Sequence, residues 1–103
     1  MLLTTTETIP DKDFSILGVV TGSVVRTKHV GRDIMAGFRQ ISGGEIYGYT
    51  ELLNESRVIA NERLVEAAKK LGANGVVGLR YSSSSITPGA NEIMAYGTAV
   101  KYT

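Results

Sequence analysis

Residues with the means to do chemistry are few in this chain. A basic cluster runs through Arg26, Lys28, His29 and Arg32, just ahead of residues 33–41, in which Ile34, Phe38 and Ile41 recur at helical spacing. A basic loop feeding a helix start offers positive charge and free backbone N–H groups, a combination that suits a small anion. The competing reading is a solvated loop, or one paired with glutamates of a neighbouring copy. His29 and Asp33 stand four apart and share a direction on a helix that starts early, so they are the nearest approach to metal-ligand spacing. The chain has no cysteine and a single histidine, whereas soft metals require thiolates or several imidazoles. No metal centre within one chain and no cofactor are therefore expected. Symmetry gathering one His29 from each of several copies is the route left open to a metal.

Nucleophilic catalysis finds little support. Ser82, Ser83, Ser84 and Ser85 form a run, but no G-x-S-x-G elbow is present and the lone histidine would have to serve a distant serine. Gly18-Val19-Val20-Thr21-Gly22-Ser23 lacks the lysine and helix signal of a phosphate loop. Tyr47, Tyr49, Tyr81, Tyr96 and Tyr102 suit a pocket lining and an interface equally well. A binding or scaffold protein is the first reading, a metal-handling protein the second, and a small enzyme with its site between subunits the third.

Composition narrows the class. A chain of 103 residues makes one domain, 1–103. Eleven basic and ten acidic residues leave a net charge of +1, which argues against a nucleic-acid footprint. No window approaches eighteen consecutive apolar residues, so no membrane span is expected. The N-terminus lacks a basic region and long apolar core, the marks of a signal peptide, and a cytoplasmic protein is expected.

The elements that must position these residues centre on one long helix, expected over residues 43–71 with an alternative start near Thr50. Ser42 and Glu45 form a capping box at its start. Lys69 and Lys70 suit its last turn, and Gly72 ends it. Ile46, Leu53, Ala60, Leu64, Ala67, Ala68 and Leu71 make one apolar stripe, which Leu52, Ile59 and Val65 widen. Such a helix is about 43 Å long, whereas a compact domain of this size is only about 34 Å across. An overhang with apolar residues on more than one side calls for a second copy of the chain, with Leu52, Ile59 and Val65 at the interface.

Strands flank the helix. Residues 2–7 are a threonine-rich strand, 9–13 a turn, and 14–27 a long β-branched strand. Gly18 and Gly22 sit on one face of that strand, marking either two bends or the approach of another backbone. Residues 76–87 form a strand that turns polar along its length, and its serine run suits an edge or a mobile hairpin arm. Residues 88–91 make a hairpin tip and 92–102 the last strand. On that strand Met94, Tyr96, Thr98, Val100 and Tyr102 share one face, and Ile93, Ala95, Gly97 and Ala99 share the other, small enough for a helix to lie close. The order predicts an α+β fold with an antiparallel sheet covered on one face by the long helix.

Particular stretches carry a family resemblance: the threonine-rich start, Leu17-Gly18-Val19-Val20-Thr21-Gly22, Gly43-Gly44, Gly72-Ala73-Asn74-Gly75-Val76-Val77-Gly78 and Ala95-Tyr96-Gly97-Thr98-Ala99-Val100. In these the chain resembles the YbjQ-like family of small bacterial proteins, which carries a heavy-metal-binding label. The resemblance covers essentially the whole chain. It implies a two-layer β-α-β-β core and a ring-shaped homopentamer with short added strands joining subunits. It implies no reaction and no catalytic residues. Gly75 departs from the family pattern, in which alanine is frequent, and bears on the helix exit rather than on chemistry.

Overall fold

The computed structural model describes residues 1–26 and 47–103. Their order is β1 (Leu2–Leu3), β2 (Phe14–Arg26), α1 (Tyr47–Lys70), β3 (Gly75–Thr87) and β4 (Ala90–Tyr102). The expected short helix over 33–41, the Ser42–Glu45 capping box and the start of the long helix at 43–46 lie outside the described residues. The four strands form one sheet in the order β1-β3-β4-β2, with α1 packed across one face, an α+β arrangement in two layers.

The sheet is mixed rather than antiparallel. β2 and β3 each pair antiparallel with β4, but β1 runs parallel to β3, with Leu2 opposite Gly75 and Leu3 opposite Val76. Threonine-rich residues mark extended chain but carry no information on strand direction, and the long crossover through β2 and α1 permits a parallel return. The expected strand over 2–7 keeps its regular pairing only at Leu2–Leu3. Beyond it the chain stays tied to β3: the Gly78 N–H donates to the Thr6 carbonyl at 2.8 Å and the Leu79 N–H to the Thr4 carbonyl at 3.0 Å. Gly78 has φ +63°, within the register shift of β3 against β4 between Val77 and Arg80. That shift turns the β3 backbone toward the N-terminal segment.

The helix ends where its sequence says. Gly72 has φ +81°, its N–H donates to the Lys69 carbonyl at 2.9 Å, and the Ala73 N–H donates to the Ala68 carbonyl at 3.1 Å. These are the two bonds of a Schellman motif. Asn74 then ties helix exit to sheet. Its side-chain amide donates to the Tyr102 carbonyl and its Oδ1 accepts from the Tyr102 N–H, both at 2.9 Å. Its own carbonyl accepts from the Leu2 N–H at 3.3 Å, so one residue joins β1, β4 and the end of α1.

Ala60, Leu64 and Ala68, each four residues from the next, are fully buried against Val20 and Val24 of β2 and Ile93, Ala95 and Ala99 of β4. The small face expected on β4 is thus the face the helix covers. The two glycines of β2 divide between the two readings. Gly18 sits at a register shift with φ +147°, a bend. Gly22 is the approach of another backbone: a Cβ there would lie 2.2 Å from the Ala60 carbonyl oxygen and 2.3 Å from the Leu64 nitrogen.

The described part of the helix does not outgrow the sheet. Its 24 described residues span about 36 Å and each 13-residue long strand about 44 Å. The principal extents are 51 × 26 × 16 Å, so the compact sphere behind the expected overhang is the wrong shape. The apolar surplus lies on the sheet instead. On the face turned away from α1, Ile16 is 71 % and Val19 78 % exposed, with Val25 and Tyr96 also exposed.

Gly22→Ala tests the closeness of the two layers. The added methyl meets main chain that cannot rotate away, so a loss of about 3 kcal/mol or more is expected in chemical denaturation, at the upper end of overpacking costs. Gly72→Ala, where the added carbon meets open space, is expected to lose only the left-handed backbone penalty of about 1–2 kcal/mol.

Candidate functional site

Arg26, the first of the four basic candidates, is the last residue of β2. Lys28, His29, Arg32 and Asp33 lie outside the described residues. Arg26 turns onto the helix side of the sheet, where its Nε donates to Ser56 Oγ at 2.9 Å. Ser56 in turn donates to the Leu52 carbonyl at 2.8 Å. Arg26 Nη2 stands 3.5 Å from Glu55 Oε1, an ion-pair distance, yet this nitrogen is shielded from solvent and has no hydrogen-bond partner among the described residues. The guanidinium is therefore held in place with one donor group unused among the described residues.

Ser56 was not legible as a functional residue, though a signal exists. It lies four residues before Ala60 in the row Ala60, Leu64, Ala68, a hydroxyl on an apolar face. It is fully buried, and a buried hydroxyl needs a partner. Arg26 supplies one from thirty residues earlier, so β2 and α1 are joined by a polar contact at one end of their apolar interface.

Three further arginines are placed similarly. Arg57 Nη2 donates to Asn54 Oδ1. Arg63 Nη1 donates to the Ser23 carbonyl at 2.5 Å, at the edge of β2. Arg80 Nη1 donates to the Thr5 carbonyl at 2.9 Å, holding the N-terminal segment. Each of these cations has a structural partner. The Tyr81 hydroxyl donates to Asn61 Oδ1 at 3.0 Å, fixing β3 to α1. Ser82 to Ser85 pair with β4 through their backbones and are exposed, with Glu92 standing across from Ser84. Among the described residues no three His, Cys, Asp or Glu side chains converge as a metal centre would require.

Leu52, Ile59 and Val65 do not form one surface. Seven-residue spacing aligns Leu52 with Ile59, and Val58 with Val65, on lines about 100° apart around the helix. Ile59 packs at the margin of the core. Val65 and Val58, the latter 55 % exposed, line an open groove of about 410 Å³ together with Asn61, Glu62, Glu66 and Lys69. No described helix is long and apolar enough to cross a membrane.

The Arg26–Ser56 contact makes a checkable prediction. Ser56→Ala leaves the guanidinium without its Nε partner and is expected to cost about 1–2 kcal/mol in denaturant unfolding. Adding Arg26→Met removes the stranded donor, so the double variant is expected to be more stable than the sum of the two single losses. Additive losses would mean that the two side chains are not coupled.

Comparison with known proteins places this fold and its motifs. A family model described as "Putative heavy-metal-binding" matches residues 1–103. A UPF0145 protein of Thermotoga maritima is 60 % identical over 102 residues, covering 98 % of this chain and 96 % of that protein. One of Psychromonas ingrahamii is 59 % identical, covering 98 % and 97 %. A crystal structure from Pediococcus pentosaceus, described as a DUF74-family protein of unknown function, superposes with a TM-score of 0.70 at 18 % identity, covering 100 % of this chain and 98 % of that one, a likeness of fold alone. With the whole chain matched and the helix-exit motif Gly72-Ala73-Asn74-Gly75 accounted for by its hydrogen bonds, the protein belongs to the UPF0145 family of YbjQ-like proteins.

Proposed function

We propose that this protein is a self-assembling binding or scaffold protein, built as a ring of identical copies, and that its ligand is a small anion. The observation that carries the assembly is the open face of the sheet. A two-layer domain ordinarily leaves a polar face to solvent, with apolar and polar residues alternating along each strand. Here β2 turns Val20 and Val24 to the helix and still exposes Ile16, Val19 and Val25 on the outside, beside Tyr96 of β4. Burying a side chain of this kind is worth about 1.5–3 kcal/mol, against a total stability of about 5–15 kcal/mol for a domain of this size. A ring of five follows from the family resemblance, and the exposed face supports only association.

The anion reading rests on the basic stretch Arg26, Lys28, His29 and Arg32. Arg26 contributes its fixed positive charge, its guanidinium held by Ser56 and standing 3.5 Å from Glu55. The family description favours a second reading, metal binding. This chain offers no thiolate and one imidazole per copy, so such a site would be assembled between subunits, with His29 and Asp33 as its donors.

Light scattering at micromolar concentration is expected to give a mass several times that of the 11.0 kDa chain. Val19→Glu, a change at an exposed position, is expected to lower that mass toward the single chain while circular dichroism stays folded. A wild-type monomer would overturn the assembly. Elemental analysis of the same untagged samples separates the ligand readings: stoichiometric metal retained through dialysis and lost in His29→Ala would favour metal, and its absence the anion.

A further inference from the structure

We infer that Asn74 is a deamidation site held unreactive by the end of β4, and that its reaction marks chains in which that end has opened. The chain has four asparagines, and three of them, Asn54, Asn61 and Asn91, precede a glutamate. Asn74 alone precedes a glycine, Gly75. Asparagine is a thermolabile residue. A following glycine makes it more so, because without a Cβ nothing hinders the glycine nitrogen from folding back on the asparagine side chain.

The reaction consumes only water. Base removes the Gly75 amide proton, the nitrogen attacks Asn74 Cγ, and the Cγ–Nδ2 bond breaks. Nδ2 takes up a proton and leaves as ammonia, and a cyclic imide remains. Water opens that imide at either carbonyl, giving aspartate or isoaspartate. Ammonia is lost and water gained, so the product is heavier by about 1 Da.

The fold holds Asn74 away from this path. Its Nδ2 donates to the Tyr102 carbonyl and its Oδ1 accepts from the Tyr102 N–H, both at 2.9 Å. Its own N–H donates to the Val100 carbonyl at 3.1 Å, and its carbonyl accepts from the Leu2 N–H at 3.3 Å. The side chain cannot swing toward the Gly75 nitrogen without breaking both bonds to Tyr102. Gly75 is buried against the same residue, since a Cβ there would stand 3.2 Å from Tyr102 Cε1. The ring leaves little room for a side chain at position 75, so the packing that favours glycine also creates the labile pair. Tyr102 is the last residue of β4, and the ends of elements open at lower free energy than their cores. The rate at Asn74 therefore reports the opening of that strand end.

Either product undoes the joint. An aspartate at 74 has no N–H to offer the Tyr102 carbonyl and sets a negative charge against it. Isoaspartate adds a carbon to the main chain just ahead of β3, where Leu2 pairs with Gly75 and Leu3 with Val76. One altered residue thus loosens β1, the end of β4 and the exit of α1, and refolding does not reverse it.

Peptide mapping by mass spectrometry, during incubation in mildly alkaline buffer, reads each asparagine separately. In the intact protein Asn74 is expected to deamidate at least about tenfold more slowly than in the same chain held in denaturant. In denaturant it should outpace Asn54, Asn61 and Asn91. Equal rates in the folded and unfolded chain would overturn the protection, and no preference for Asn74 in denaturant would overturn the site. Tyr102→Pro removes the N–H that holds Oδ1, whereas Tyr102→Ala removes the ring and keeps the main-chain bonds. A variant of either kind whose circular dichroism stays folded should react several-fold faster at Asn74, and an unchanged rate would show that Tyr102 is not the guard. Asn74→Asp should unfold at a lower denaturant concentration than the unmodified chain. Coincident unfolding curves would contradict the loosening of the joint.

Discussion

The distance between helix and sheet is set at Gly22. Main-chain atoms of Ala60 and Leu64 occupy the space where any side chain at that position would stand. The helix therefore meets β2 backbone to backbone, and the surrounding residues follow from that approach. Ala60 and Ala68 on the helix and Ala95 and Ala99 on β4 are small because the gap is narrow. Leu64, Val20 and Val24 fill what remains. A close contact of this kind is stiff, since interiors packed at crystal density have no slack to absorb an added methyl.

The same approach decides what the sheet does with its other side. The helix is centred over β2 and β4, and its apolar row is narrow, so it covers one face and nothing of the reverse. The margins are tied by polar contacts: Arg26 to Ser56 at one end of the helix, Arg63 to the β2 edge, Asn74 to Tyr102 at the helix exit and Arg80 to the N-terminal segment. The first two of these bonds hold helix to sheet, the others tie the helix exit and the N-terminal segment to the sheet, and all leave Ile16 and Val19 on the outside. The proposed assembly rests on this pairing of internally engaged arginines with valine and isoleucine exposed on the outer face of the sheet.

Much of this was legible before the structure. The glycine at 72 and the lysines before it mark the helix end by physical rules that act within a few residues, and the alternation along β4 assigns its two faces. What was hidden depends on contacts between distant parts of the chain. The direction of β1 is decided by what β3 offers at Gly75 and Val76, some seventy residues on. Ser56 reads as an ordinary helix serine until Arg26 arrives from β2 to satisfy it. The expected overhang presumes a spherical body, which the 13-residue strands do not make. Leu52, Ile59 and Val65 were expected to widen the apolar stripe on more than one side, and the turn of the helix sends them to two flanks. Of the basic cluster only Arg26 falls among the described residues, and there it is a joint between β2 and α1.

The central claim is that the open sheet face is covered by protein in solution. Methyl groups report on this directly. With valine methyls labelled and a soluble paramagnetic agent added, Val19 should be protected to the same degree as Val20, its neighbour on the buried face. Strong relaxation of Val19 beside a silent Val20, at concentrations where the protein is otherwise intact, would show the face bare and contradict the account.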